Sequence, residues 1–162
     1  MTRDVLILIL STVIFIVSSG AAFSAAAVVD VALSDKGADA AMGVGLNMGN
    51  PGADMSMATL KIDAAPQEVM AGPVIFKVKN TSSSMIHEMI VARVVDPKSL
   101  PPYDEASGRV DEEGLASLGE VPELDPGMSG SLSLDLEPGT YVLFCNLPGH
   151  YMAGMWSLIT VR

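Results

Sequence analysis

Apolar and polar residues alternate along this chain in short runs, which is the period of strands rather than helices. Val28–Leu33 (VVDVAL) reads as a first strand, and residues 34–54, rich in glycine, alanine and aspartate, read as loop. Alternation returns over Met55–Asp63, with Ala58, Leu60 and Ile62 on the core face and Met55 and Met57 opposite. Val74, Phe76 and Val78 then alternate with Ile75, Lys77 and Lys79, and His87–Val95 forms the next run. Leu132, Leu134 and Leu136 alternate with Ser131, Ser133 and Asp135. The turn Glu137–Thr140 (EPGT) leads into Tyr141–Cys145, and Trp156–Val161 closes the chain. Short strands divided by proline and glycine turns predict an all-β sandwich.

Two stretches break the alternation. Residues 103–125 hold eight acidic residues and one basic one, Arg109. A short helix fits residues 111–118, weakened by the glycines in and around it, and the stretch reads as a surface excursion from the β framework. At the other end, Arg3 precedes an apolar run from Val5 to Val17 and then SSGAAFSAAA. Ala25 and Ala27 give the small-x-small arrangement of a signal peptidase site. The nearly unbroken apolar sequence of residues 5–29 is also long enough to span a bilayer. Residues 1–27 are therefore read as a signal peptide or a transmembrane anchor helix. Residues 28–162 form one domain, placed in the periplasm or otherwise outside the cytoplasmic membrane, either secreted or anchored there through residues 5–27.

Composition narrows the chemistry. A net charge of −10 argues against nucleic acid as a partner and suits docking to a basic protein. No phosphate-binding loop, dinucleotide fingerprint or internal repeat occurs. Eleven methionines are many for this length, and the thioether is a soft ligand for copper as well as a core filler. The single cysteine cannot form an internal disulfide in an exported chain, so Cys145 is inert, joined to another chain, or a ligand.

The neighbours of Cys145 decide between these. It stands at a strand end, His150 in the loop that follows, and Met155 just before the last strand. Four residues separate each from the next, so three soft or borderline donors converge without a helix to space them. His87, at the start of an earlier strand, reaches the same end of the sandwich. Two imidazoles, a thiolate and a weak axial thioether make a blue-copper site. Pro148 restricts the loop and Gly149 permits its tight approach.

The segment PGTYVLFCNLPGHYMAGM with its closing strand, and AGPVIFKVKNTSSSMIHEMIV around His87, resemble the cupredoxins, the type 1 copper proteins of the plastocyanin, azurin and rusticyanin family. The Cys-x4-His-x4-Met spacing is closest to rusticyanin-like members, and the resemblance extends over most of the chain from Val28 onward. It implies a Greek-key β-sandwich that holds one type 1 copper and carries single electrons, with no catalytic residues. His87, Cys145 and His150 would be equatorial ligands and Met155 axial, with Met152 the alternative in the same loop. His150 would lie near the surface, ringed by Leu147, Pro148, Met152 and Ala153. A redox partner such as a cytochrome or terminal oxidase would dock there. Glu88 departs from the family, where a small polar residue commonly follows the first histidine. Its backbone N–H can still donate to the cysteine sulfur, while its carboxylate either points at the metal and favours Cu(II) or faces solvent.

Two rivals remain at this stage. A copper carrier delivering the metal to an oxidase or resistance system would use the same ligands, with Met42, Met48, Met55 and Met57 as transient Cu(I) contacts. A copper enzyme would need histidines for a second centre, and the chain has only two. A binuclear copper domain would need a second cysteine where Gly149 stands.

Overall fold

The computed structural model describes residues 25–99 and 101–162. The predicted leader, residues 1–27, lies outside them but for its last three residues, and among the described residues no helix is long and apolar enough to cross a membrane. Eleven strands follow in order: β1 (Ala27–Asp35), β2 (Leu60–Ala65), β3 (Glu68–Val69), β4 (Gly72–Asn80), β5 (His87–Val94), β6 (Tyr103–Asp104), β7 (Arg109–Val110), β8 (Ser117–Leu124), β9 (Ser129–Leu136), β10 (Gly139–Phe144) and β11 (Trp156–Val161). One short helix, α1 (Glu112–Leu115), stands between β7 and β8.

The strands form two sheets, β2-β1-β4-β9 and β3-β11-β10-β5-β8, with β6 and β7 as a separate hairpin. The alternation read from the sequence sets their inner faces. Val74, Phe76 and Val78 of β4 are buried while Lys77 and Lys79 are exposed. They meet Met89 and Val91 of β5 and Tyr141 and Leu143 of β10 from the other sheet, in one apolar cluster that also contains Cys145 and Met155. The Tyr141 hydroxyl is not stranded there, because it donates to the Glu137 carbonyl at 2.8 Å.

β5 and β10 are buried on both faces, and this explains two differences from the sequence reading. Ile90, Ala92, Val94, Val142 and Phe144 point away from the first core and form a second cluster with Met48, Val110 and Tyr151. The loop of residues 34–54 and the acidic segment supply its cover, so the acidic segment is a structural layer rather than a surface excursion. The acidic segment also contains a strand that the alternation did not show: β8 pairs antiparallel with β5. It forms an edge of its sheet, where Pro122 costs no ladder bond on the open side. The helix is shorter than residues 111–118. Asp111 caps it by accepting from Gly114 N–H, and Ala116 ends it in the left-handed conformation.

The strand expected from Met55 begins only at Leu60. Met55–Met57 form a single 3-10 turn whose start is capped by the Asp54 carboxylate accepting from Ser56 N–H at 3.0 Å. Of the four upstream methionines, Met48 is buried in the second cluster and Met57 is exposed. Met55 reaches Gly154 in the loop before β11, and Met42 is 49% exposed.

The end of the sandwich that matters is held by Asn80, which is fully buried at the close of β4. Its amide donates to the carbonyls of Met85 and Leu124, both at 2.8 Å, and its carbonyl accepts from Ser82 N–H at 2.9 Å. Thr81 is bound to the Leu33 carbonyl through its amide and its hydroxyl, at 2.8 and 2.9 Å. These bonds fix the turn from which β5 starts, and with it His87.

Candidate metal centre

Strand register places the two distant donors together. Leu143 pairs with Val91 and Phe144 with Ile90. The odd-numbered residues of both strands therefore share the inner face, and His87 and Cys145 share the end of that face. The loop after Cys145 folds back on itself. His150 N–H donates to the Leu147 carbonyl at 2.9 Å, Met155 N–H to the His150 carbonyl at 3.0 Å, and Cys145 N–H to the Met155 carbonyl at 3.1 Å. Gly149 takes φ +81°, the left-handed region that suits glycine in this tight turn.

Donor atoms of His87, Cys145 and His150 all lie within 4.8 Å of one another. Cys145 Sγ is 3.3 Å from His150 Nδ1, and the two imidazole centroids are 5.2 Å apart. His87 and Cys145 have no solvent exposure, and His150 is 6% exposed. Among the described residues this is the one cluster of such donors.

The donors fit a metal ion. His87 Nδ1 is buried and has no hydrogen-bond partner, an arrangement that proteins rarely leave uncompensated. Burial pushes the Cys145 thiol up to about 12, although backbone N–H groups of Glu88 and Leu147 on the sulfur pull the other way. Burial, with His87 beside it, pushes His150 down to about 4, leaving its imidazole neutral. A buried thiol beside two imidazoles, one of them with an unpartnered nitrogen, suits a borderline or soft metal.

Met155 belongs with Cys145 in the first core cluster, whereas Met152 packs on the second cluster, across the sheet. The two methionines are therefore separated by face, and Met155 is on the face of the donors. The ring expected around His150 is only partly present. Leu147, Pro148 and Met152 reach the surface, but Ala153 is fully buried beneath them. Met42 adds to the rim, its methyl lying 3.6 Å from where a Cβ on Gly149 would be.

Glu88 does neither of the things its position suggested. It is 8% exposed, and it points to the opposite face of β5 from His87, so it faces neither the donors nor open water. Its carboxylate accepts from Asn146 N–H at 3.0 Å. Burial raises its pKa, opposed by that bond and by Arg109. Its backbone N–H donates to the Cys145 sulfur, as the sequence allowed.

Asn146, next to the cysteine, ties the loop to the acidic segment. Its carbonyl oxygen Oδ1 accepts from Val110 N–H at 2.6 Å, and its amide donates to the Val110 carbonyl at 3.0 Å and to Glu112 Oε1 at 2.7 Å. Arg109 donates to the Asn146 backbone carbonyl at 2.8 Å, and Gly149 N–H to the Gly108 carbonyl at 2.9 Å. The acidic segment thus braces the loop it borders. A second residue not found from the sequence is Asp35, whose Oδ2 lies 2.9 Å from His87 Nε2. No local pattern marks it, since its partner is 52 residues away.

The sequence model described as copper binding proteins, plastocyanin/azurin family, matches residues 50–162. No curated protein is significantly similar to the chain in sequence. Among solved structures, auracyanin B is 22% identical, with a TM-score of 0.52 over 86% of this chain and 91% of its own. Rusticyanin from Thiobacillus ferrooxidans is 17% identical, with a TM-score of 0.52 over 83% of this chain and 76% of its own. At these identities the likeness is one of fold.

The bracing by Asn146 predicts a measurable cost. Asn146→Ala strands the buried N–H and carbonyl of Val110, and each orphaned group costs about 1–3 kcal/mol. Urea unfolding of the metal-free protein should show a loss of about 3 kcal/mol; wild-type stability would contradict the bracing.

Proposed function

The chain belongs to the plastocyanin/azurin family of copper-binding proteins, and we propose that it carries single electrons between redox proteins outside the cytoplasmic membrane. His87, Cys145 and His150 would hold one type 1 copper, with Met155 as the axial thioether. The observation that carries this reading is the convergence of three buried donors, one of them His87 Nδ1 with no other partner. Bound copper supplies the one-electron couple.

The chain's own residues supply the rest. Two strands and a hydrogen-bonded loop fix the donors in place, so little protein rearrangement would accompany a change of charge. Two backbone N–H groups aimed at the sulfur, from Glu88 and Leu147, disperse thiolate charge. The apolar cluster around Met155 and Leu143 excludes water and competing ligands. His150 alone of the donors reaches towards solvent, beneath the rim of Met42, Leu147, Pro148 and Met152. That rim is where the partner would dock, as a small and transient contact. The hairpin β6–β7 borders it through Gly108 and carries Asp104 and Glu105, so a partner with basic residues around an apolar centre, such as a cytochrome, is the better match.

Delivery of copper to another protein fits less well. A receiving ligand would need to reach His87 or Cys145, and neither has any exposed surface. Met48 is committed to the second core cluster, which removes one of the methionines that favoured that reading.

Cu(II) added to the soluble domain should give an intense thiolate-to-copper visible band and a type 1 EPR spectrum, both lost in Cys145→Ser. A colourless wild type would refute the assignment. Met152→Ala should keep that spectrum while slowing electron exchange with a small basic cytochrome several-fold. An unchanged exchange rate would remove the rim from the electron path.

A further inference from the structure

Asp35 ends β1 in the four-stranded sheet, whereas His87 begins β5 in the five-stranded sheet. Their contact, 2.9 Å from Oδ2 to Nε2, bridges the two sheets at the end where the donors gather. The Asp35 side chain is only 2% exposed, so the carboxylate is nearly as dry as the histidine. We propose that Asp35 is a positioning residue for the copper centre: it fixes His87 in the tautomer that presents Nδ1, and its buried charge holds the centre towards Cu(II). This deepens the assignment above and rests on it.

The carboxylate is placed by design of the surrounding turn. Gly37 N–H donates to Asp35 Oδ1 at 2.7 Å, and the Ser82 hydroxyl is a further partner. Ser82 is itself fixed, with Oγ accepting from Met85 N–H at 2.8 Å and Ser84 N–H at 3.1 Å. The bonds from Thr81 to the Leu33 carbonyl hold this turn against the end of β1. With the Gly37 N–H and the Ser82 hydroxyl already donating to it, the carboxylate is placed as an acceptor and takes the hydrogen bond from His87 as well, which leaves the proton on Nε2 and the lone pair on Nδ1.

Charge decides the redox consequence. With a thiolate at Cys145, a carboxylate at Asp35 and neutral imidazoles, the buried group sums to zero with Cu(II) (+2 −1 −1) and to −1 with Cu(I) (+1 −1 −1). A net charge in a dry site is costly, so Asp35 favours the oxidised state and lowers the reduction potential. A carboxylate on the far nitrogen also makes the imidazole a better donor, which acts in the same direction. Glu88 does not do this, because its carboxylate lies on the other face of β5. Asp35 also lies outside the segment matched to the family, residues 50–162.

The test is the reduction potential of copper-loaded wild type and Asp35→Asn, measured with the visible spectrum as a check on the ligand set. Removing a hydrogen-bond partner of a metal-ligating histidine alters metal affinity by about tenfold or more. The Cu(II)-to-Cu(I) affinity ratio should accordingly fall by about tenfold, raising the potential by about 59 mV for a one-electron couple, with the blue band retained. A retained band with an unchanged or lower potential would overturn the proposal. Nitrogen-15 NMR of the histidines in metal-free wild type needs no variant. It should find His87 protonated on Nε2 with a low-field proton resonance; the Nδ1–H tautomer would overturn the proposal even if Asp35→Asn failed to fold. A wild type that never turns blue would sink the copper assignment, while the NMR result would still decide the Asp35–His87 contact.

Discussion

A dry thiol packed against two imidazoles sets the terms for the rest of this molecule. The Cys145 sulfur has no solvent exposure, and burial opposes its ionisation. A folded chain gains little from placing such a group against two imidazoles, one with a stranded nitrogen, unless a cation completes the set. The architecture shows how these donors are assembled. Two sheets supply the walls, and the closing strand returns under the loop so that Met155 shares the face of Cys145. Hydrogen bonds across that loop hold it closed.

The brace around the loop comes from segments that look dispensable in the sequence. Residues 103–116 and the 34–54 loop cover a second apolar cluster on the outer face of the five-stranded sheet. Because that face is covered, β5 and β10 are buried on both sides and are held from both. Asn146 and Gly149, on either side of the loop's proline, then bond to Val110 and Gly108. The acidic character of the covering segment stays on its outer surface, beside the rim over His150. One segment therefore has two consequences, a rigid centre and an acidic border to its exit.

How much of this the sequence disclosed depends on whether the cause was local. Val74, Phe76 and Val78, and Leu132, Leu134 and Leu136, show their strands through alternation, because one face of each is buried and the other is not. The loop donors were legible because cysteine, histidine and methionine fall within eleven residues. β8 was not, since Gly119 and Pro122 interrupt it and only its partner β5 makes it a strand. Met55 and Met57 continued an apparent alternation, but the Asp54 cap turned them into a 3-10 turn. Asp35 is one of nineteen acidic residues, and nothing but the folded contact with His87 separates it from the others. Glu88 was conspicuous by position, yet only the pleat of β5 shows which face its side chain takes.

A thiolate and two imidazoles, brought together by the fold, would hold one copper in both oxidation states. X-ray absorption at the copper edge, on oxidised and reduced protein, tests it most directly. One short sulfur and two nitrogen scatterers are expected in both states, with bond lengths that change little on reduction. A shell of nitrogen and oxygen alone, or loss of a ligand on reduction, would contradict it.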